Sequence, residues 1–146
     1  MVPTFTAGDV ALVLKPPRDD DTRTRVLVNH IYHVSYVRTK PMKYGNFYGS
    51  VCAINYGPDH VWEVHTDLLQ KLDLSSGIYV RCYRKNQPDI TGNLMYLSAR
   101  ETAIVGNNGV ICIPIEDNHK VEFLGLYQRP EPNSNIFLEM FMELGL

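Results

Sequence analysis

The sequence predicts a mainly β protein that ends in an amphipathic helix. Three observations carry this expectation. Short apolar segments, several alternating with period two, are separated by Gly, Pro, Asn and Asp. Residues 25–37 are rich in β-branched and aromatic residues. In the last segment the apolar residues change to helical spacing.

Residues 10–14 form a short apolar run after Ala7-Gly8-Asp9 and read as a buried first strand. Residues 15–21 hold two prolines and three adjacent aspartates, so an exposed, solvated loop is expected there. The aspartates lack the Asp-x-Asp-x-Asp-Gly pattern of a calcium loop. Residues 25–37 read as one long strand with Val26, Val28, Tyr32, Val34 and Tyr36 on one face. Residues 39–49 read as a loop carrying exposed aromatics. Residues 50–56 and 61–65 form a hairpin around Gly57-Pro58-Asp59. A single helical turn follows over 66–72, capped by Thr66 or Asp67.

Further strands are expected at 77–84, 94–99, 103–105, 110–115 and 121–127, with Gly106-Asn107-Asn108-Gly109 as a hairpin turn. Arg129-Pro130-Glu131-Pro132 is a stiff linker. Asn133 or Ser134 then caps a helix whose stripe is Ile136, Phe137, Met140, Phe141 and Leu144. So short a helix is marginal alone, so it is expected to dock on its own domain or to form a homodimer or other chain contact.

The net charge of −2 creates no overall pull toward nucleic acid. Residues 1–45 nevertheless carry seven Lys/Arg against four Asp, and residues 46–146 carry seven against twelve Asp/Glu. Such polarity suits a protein partner at least as well as a polyanion. Cys52, Cys82 and Cys112 lie among apolar neighbours and are expected to be buried. Their spacing suggests a repeat, but the windows between them share too little else to support one. The N-terminus lacks a signal-peptide pattern, and no apolar run approaches the roughly 20 residues that span a bilayer, so a cytoplasmic chain is expected.

Residues 5–73 resemble small SH3-like barrels. The resemblance rests on Phe5-x-x-Gly8-Asp9-Val10-Ala11-x-Val13, on Val26 with Tyr32-x-Val34, and on Val61-Trp62-Glu63-Val64 with Leu69-x-x-Leu72. It implies a barrel over 1–73, a second β segment over 74–129 that packs on or completes it, and a linker and helix over 130–146. It also implies a groove lined by Tyr36, Tyr44, Phe47, Tyr48 and Trp62. The long acidic first loop and the 39–49 insertion depart from that pattern, and no closing strand is evident after Leu72.

No nucleophile elbow, phosphate loop or dinucleotide fingerprint occurs. His30 and His33, three apart on a strand, point to opposite faces and cannot share an ion; His60 and His65 fare no better. A Cys52–His65 pair would be the nucleophilic arrangement to look for. The expectation is therefore a non-enzymatic protein-interaction module without cofactor, metal or membrane contact. In style it resembles small phage or viral accessory proteins that bind or inhibit a host factor, which would place it in the host cytoplasm.

Its expected contact residues are Tyr36, Arg38, Lys40, Lys43, Tyr44, Phe47, Tyr48 and Trp62. The alternative is a single-stranded nucleic-acid or nucleotide binder. In that case the cations of residues 36–48 track phosphates and the aromatics stack on bases. A second basic group, Arg81, Arg84 and Lys85 beside Tyr79 and Tyr83, points to a small anionic ligand.

Overall fold

A computed structural model of the chain describes residues 4–44, 47–106, 109–116 and 119–126, and the Tyr44 side chain is not among the described groups. It is mainly β, as expected. The first half runs β1 (Val10–Val13), α1 (Asp20–Arg25), β2 (Ile31–Val37), β3 (Met42–Tyr44), β4 (Phe47–Gly49), β5 (Val51–Gly57), β6 (His60–His65), a 3₁₀ turn (Thr66–Leu68) and β7 (Leu69–Leu72). The second half runs through a 3₁₀ turn (Leu74–Ser76) to β8 (Ile78–Tyr83), β9 (Ile90–Leu97), β10 (Glu101–Gly106), β11 (Gly109–Pro114) and β12 (Lys120–Leu126).

Two five-stranded antiparallel sheets result, ordered β6-β5-β2-β1-β7 and β11-β10-β9-β8-β12, while β3 and β4 pair as a separate hairpin. Both orders follow one rule. The first principal strand of each sheet lies between the second and the fifth, and the third and fourth continue outward from the second. Among the described residues β6 does not pair with β7, so hydrogen bonding does not close the barrel expected over 1–73.

All four β1 residues are buried because the strand serves two cores. Ala11 and Val13 face one way, into a cluster with Phe5, Val26, Tyr32, Cys52 and Ile54. Val10 and Leu12 face the other way and join Ile31 with Ile78, Val80, Leu94, Ile104 and Val121 of the second sheet. The two sheets thus share apolar interior. Backbone bonds stitch the same junction: the Phe123 N–H donates to the Asn29 carbonyl at 2.8 Å, and the His119 N–H donates to that of Tyr56 at 2.9 Å. The Asn29 amide returns a bond to the Phe123 carbonyl at 3.0 Å. Asn29 has φ 66°, a left-handed conformation that Asn accepts more readily than other side-chain-bearing residues.

Several local expectations are corrected. The solvated loop over 15–21 and the strand start at residue 25 give way to α1. The Asp19 carboxylate accepts from the Thr22 N–H and O–H at 3.0 and 2.8 Å, which caps the helix. Asp20 and Asp21 occupy its first turn, Arg23 and Arg25 its last, in keeping with the helix dipole. The helical turn expected over 66–72 is confined to Thr66–Leu68, preceded by His65 rather than capped by Thr66 or Asp67, and residues 69–72 form β7, which pairs with β1. Cys112 is exposed because β11 is an edge strand, whereas Cys52 and Cys82 are buried. The expected C-terminal helix lies outside the described residues. No helix among the described residues is long and apolar enough to cross a membrane.

Candidate functional site

Strand register brings the first candidates together. Tyr36 is opposite Ala53, and Ala53 is opposite Glu63. Ala53 has only a Cβ, so the longer side chains meet across it. The Tyr36 hydroxyl donates to Glu63 Oε2 at 3.1 Å. Arg38 donates from Nε to the same oxygen at 2.5 Å and from Nη2 to Oε1 at 2.9 Å, a two-pronged grip. The Arg38 bonds hold the Glu63 carboxyl below its usual range. Partial desolvation and the adjacent carboxylate raise the Tyr36 phenol, so it stays a neutral donor.

The β3–β4 hairpin is pinned beside this group. His65 Nε2 bonds to the Met42 carbonyl at 3.0 Å, and the Phe47 ring meets the His65 ring edge-on at 4.8 Å. The Arg18 guanidinium lies 3.7 Å over Phe47 while gripping Asp67 at 2.6 and 3.3 Å. A Cβ on Gly49 would lie 2.8 Å from the Phe47 ring, so a larger residue there would have to displace that ring. Phe47 therefore fastens the hairpin. Tyr48 is left 66% exposed, opposite Lys43 in the register. Lys40 and Lys43 are exposed.

A cleft of about 140 Å³ opens between Pro17, Asp19 and Thr22 on one side and Met42 and Lys43 on the other. Glu63, Val64, His65 and Leu68 complete it. This is below the roughly 300 Å³ of ordinary small-molecule sites. It suits one inserted side chain.

Trp62 belongs elsewhere. It neighbours Glu63 in β6 and therefore points to the opposite face. Its indole N–H donates to Thr22 Oγ1 at 2.6 Å, and the Arg25 guanidinium covers its ring at 4.3 Å. Trp62 thus anchors α1 rather than sharing a groove with Tyr36. Sequence reading missed Glu63 and Asp67 as parts of the site and named His65 only as a partner for Cys52. Glu63 was the recoverable one, since it is the single acid in an otherwise uncharged strand beside a basic segment.

The nucleophile arrangement does not form. Cys52 pairs in register with Val64, and His65 pairs with Val51, so the two side chains face opposite sides. Burial pushes the Cys52 thiol up to about 12. In the second sheet Cys82 Sγ lies 4.0 Å from His119 Nε2, but burial raises that thiol to about 11 and lowers that imidazole to about 4. Both are neutral at ordinary pH, so no thiolate–imidazolium pair arises there. Among the described residues no three His, Cys, Asp or Glu converge to hold a metal ion. The chain matches no protein-family model, no curated protein and no solved structure.

Proposed function

We propose that the protein is a non-enzymatic interaction module with SH3-like strand order in its first sheet, and that it docks a protein partner on Tyr36, Arg38–Glu63, Lys43 and Tyr48. The observation that supports this most is a pair of exposed tyrosines beside a cleft sized for one side chain. Tyr36 and Tyr48 are 42% and 66% exposed, and the Tyr36 hydroxyl is already tied down by Glu63. Rigid, amphipathic aromatics lose little entropy on contact and are frequent interface hot spots.

The charge pairing favours a protein over a nucleic acid. Arg18 and Arg38 each already grip a carboxylate. A phosphate would have to displace it, leaving an acid beside the polyanion. The test is affinity capture from source-cell lysate, with and without nuclease, using the wild type and a Tyr36→Ala/Tyr48→Ala variant. A protein retained after nuclease and lost with the double variant, at unchanged unfolding midpoint, is the expected result. Retention by the variant refutes the surface. Retention abolished by nuclease turns the reading to single-stranded nucleic acid.

A further inference from the structure

The two five-stranded sheets have four edge strands, β6, β7, β11 and β12. An edge offers unpaired N–H and C=O groups to any strand it meets, and edges are ordinarily guarded by charge, irregularity or shortness. Three of these four are guarded. β6 carries Glu63 and a register irregularity against β5. β12 carries Lys120 and Glu122 and an irregularity against β8. β7 has four residues, one of them Lys71, which pairs with Asp9. β11 has no such protection. It is Gly-Val-Ile-Cys-Ile-Pro, six residues without a charge, and all six pair with β10 without a shift. Val110 is 54% exposed and Ile111 37%.

The register fixes which of its backbone groups are open. The Ile115 N–H donates to the Arg100 carbonyl at 2.9 Å. Bonded pairs alternate along an antiparallel ladder, so Gly109, Ile111 and Ile113 also direct their backbone groups at β10. Val110 and Cys112 direct theirs away from the sheet, and among the described residues no backbone group bonds to them. Pro114, the next outward position, has no N–H to offer. The open stretch is Val110-Ile111-Cys112, with one donor and one acceptor at each end.

That stretch is self-complementary. Turned through 180° about Ile111 it matches itself: Val110 of each copy exchanges two backbone bonds with Cys112 of the other, and the two Ile111 residues face each other between them. Charge favours the same occupant. In a two-fold pair a charged strand meets its own charge again, whereas β11 brings none. We infer that β11 pairs with β11 of a second copy, antiparallel about a two-fold axis at Ile111, so that the second sheets of both copies run on as one. The two-fold contact closes on itself, and the guarded β12 at the far edge stops further growth, so the product is a dimer. A junction this short buries less than the roughly 1,200 Å² of a stable interface, which makes the dimer weak and concentration-dependent.

The inference does not rest on the interaction surface of the first sheet. It is tested on the full chain by sedimentation equilibrium and amide hydrogen exchange from micromolar to millimolar concentration. A monomer–dimer equilibrium is expected. The Val110 and Cys112 amides should exchange more slowly as concentration rises, while those of Ile111 and Ile113, already bonded to β10, change less. Val110→Lys alters an exposed side chain and sets two like charges at the junction. It should weaken the dimer at least tenfold with the unfolding midpoint in place. Ile111→Cys/Cys112→Ser tests the register. The Cα atoms of a non-bonded antiparallel pair lie about 4.5 Å apart, within disulfide reach, so oxidation with copper–phenanthroline should lock a covalent dimer. A chain that stays monomeric at millimolar concentration overturns the proposal. So do Val110 and Cys112 amides that are equally slow at every concentration, which would mean that a segment of the same chain covers the edge. A dimer undiminished by Val110→Lys, or one that Ile111→Cys/Cys112→Ser fails to lock, overturns it as well.

Discussion

The two sheets have the same strand order and opposite finishes. In the first, long connections build α1 and the β3–β4 hairpin over the strands, and prominent charges are matched: Arg18 with Asp67, Arg38 with Glu63, Lys71 with Asp9. In the second, β8 to β9 and β9 to β10 are joined without any such element. Its apolar residues reach solvent at Met95, Val105, Val110, Ile111 and Leu124. The strand order makes a platform in both cases. The segments inserted between strands decide whether a cleft is narrowed, as beside Pro17 in the first sheet, or left wide, as beside Arg84 in the second.

The largest expected effect lies in the shared interior. Ile104 is fully buried in the cluster that also holds Val10, Leu12 and Ile31. Ile104→Ala is expected to cost about 2–5 kcal/mol through lost burial and the cavity left behind. Trp62 fluorescence, which reports the first sheet, should show the same lowered urea midpoint as far-ultraviolet circular dichroism. Two separate midpoints would mean that the sheets unfold independently and that the shared cluster does not couple them.

Acid sharpens the contrast. An unfolded imidazole binds a proton near pH 6.5, but His119 does not until about 4, because burial disfavours its charged form. The fold is therefore at full strength above about pH 6.5 and loses on the order of 3 kcal/mol as pH falls from there through 4. Glu63 acts in the first sheet at lower pH. Its stabilisation is present above the ordinary carboxylate pKa and is lost as pH falls through its lowered value. His119→Gln should flatten the stability profile between about pH 6.5 and 4 and leave the steeper acid limb. A wild-type profile flat across that window would show that His119 is not kept neutral.

The smallest effect belongs to the first sheet alone. Asp19→Ala removes the α1 cap and should cost about 0.5–2 kcal/mol. Trp62 emission should shift as Thr22 loosens.

Most strands were legible because alternation and turn residues marked them, as in residues 50–56 and 61–65. α1 was hidden by its acids: three aspartates read as a solvated loop, although Asp19 three places before Thr22, with acids early and arginines late, is a capping pattern. β11 misled in the opposite direction. Gly-Val-Ile-Cys-Ile-Pro is apolar throughout, which reads as burial, but an edge position exposes Val110, Ile111 and Cys112. The duplicated strand order has no residue-level signature. Cys52, Cys82 and Cys112 fall on the third, first and fourth principal strands of their sheets, so their even spacing marks no equivalence. Both clefts join segments far apart in the chain, and of the second only the basic group at Arg84 and Lys85 was marked by a local pattern.

Synthesis on the ribosome meets the shared interior in a fixed order. The first sheet cannot complete until Leu72 has emerged to pair with Val10. From that moment Val10, Leu12 and Ile31 present an apolar face whose cover has not yet been made. The remaining stretch, Asp73 to Leu126, takes about 3–10 s to emerge at about 5–20 residues per second. Until Val121 has emerged, the second-sheet residues that cover Val10, Leu12 and Ile31 are incomplete.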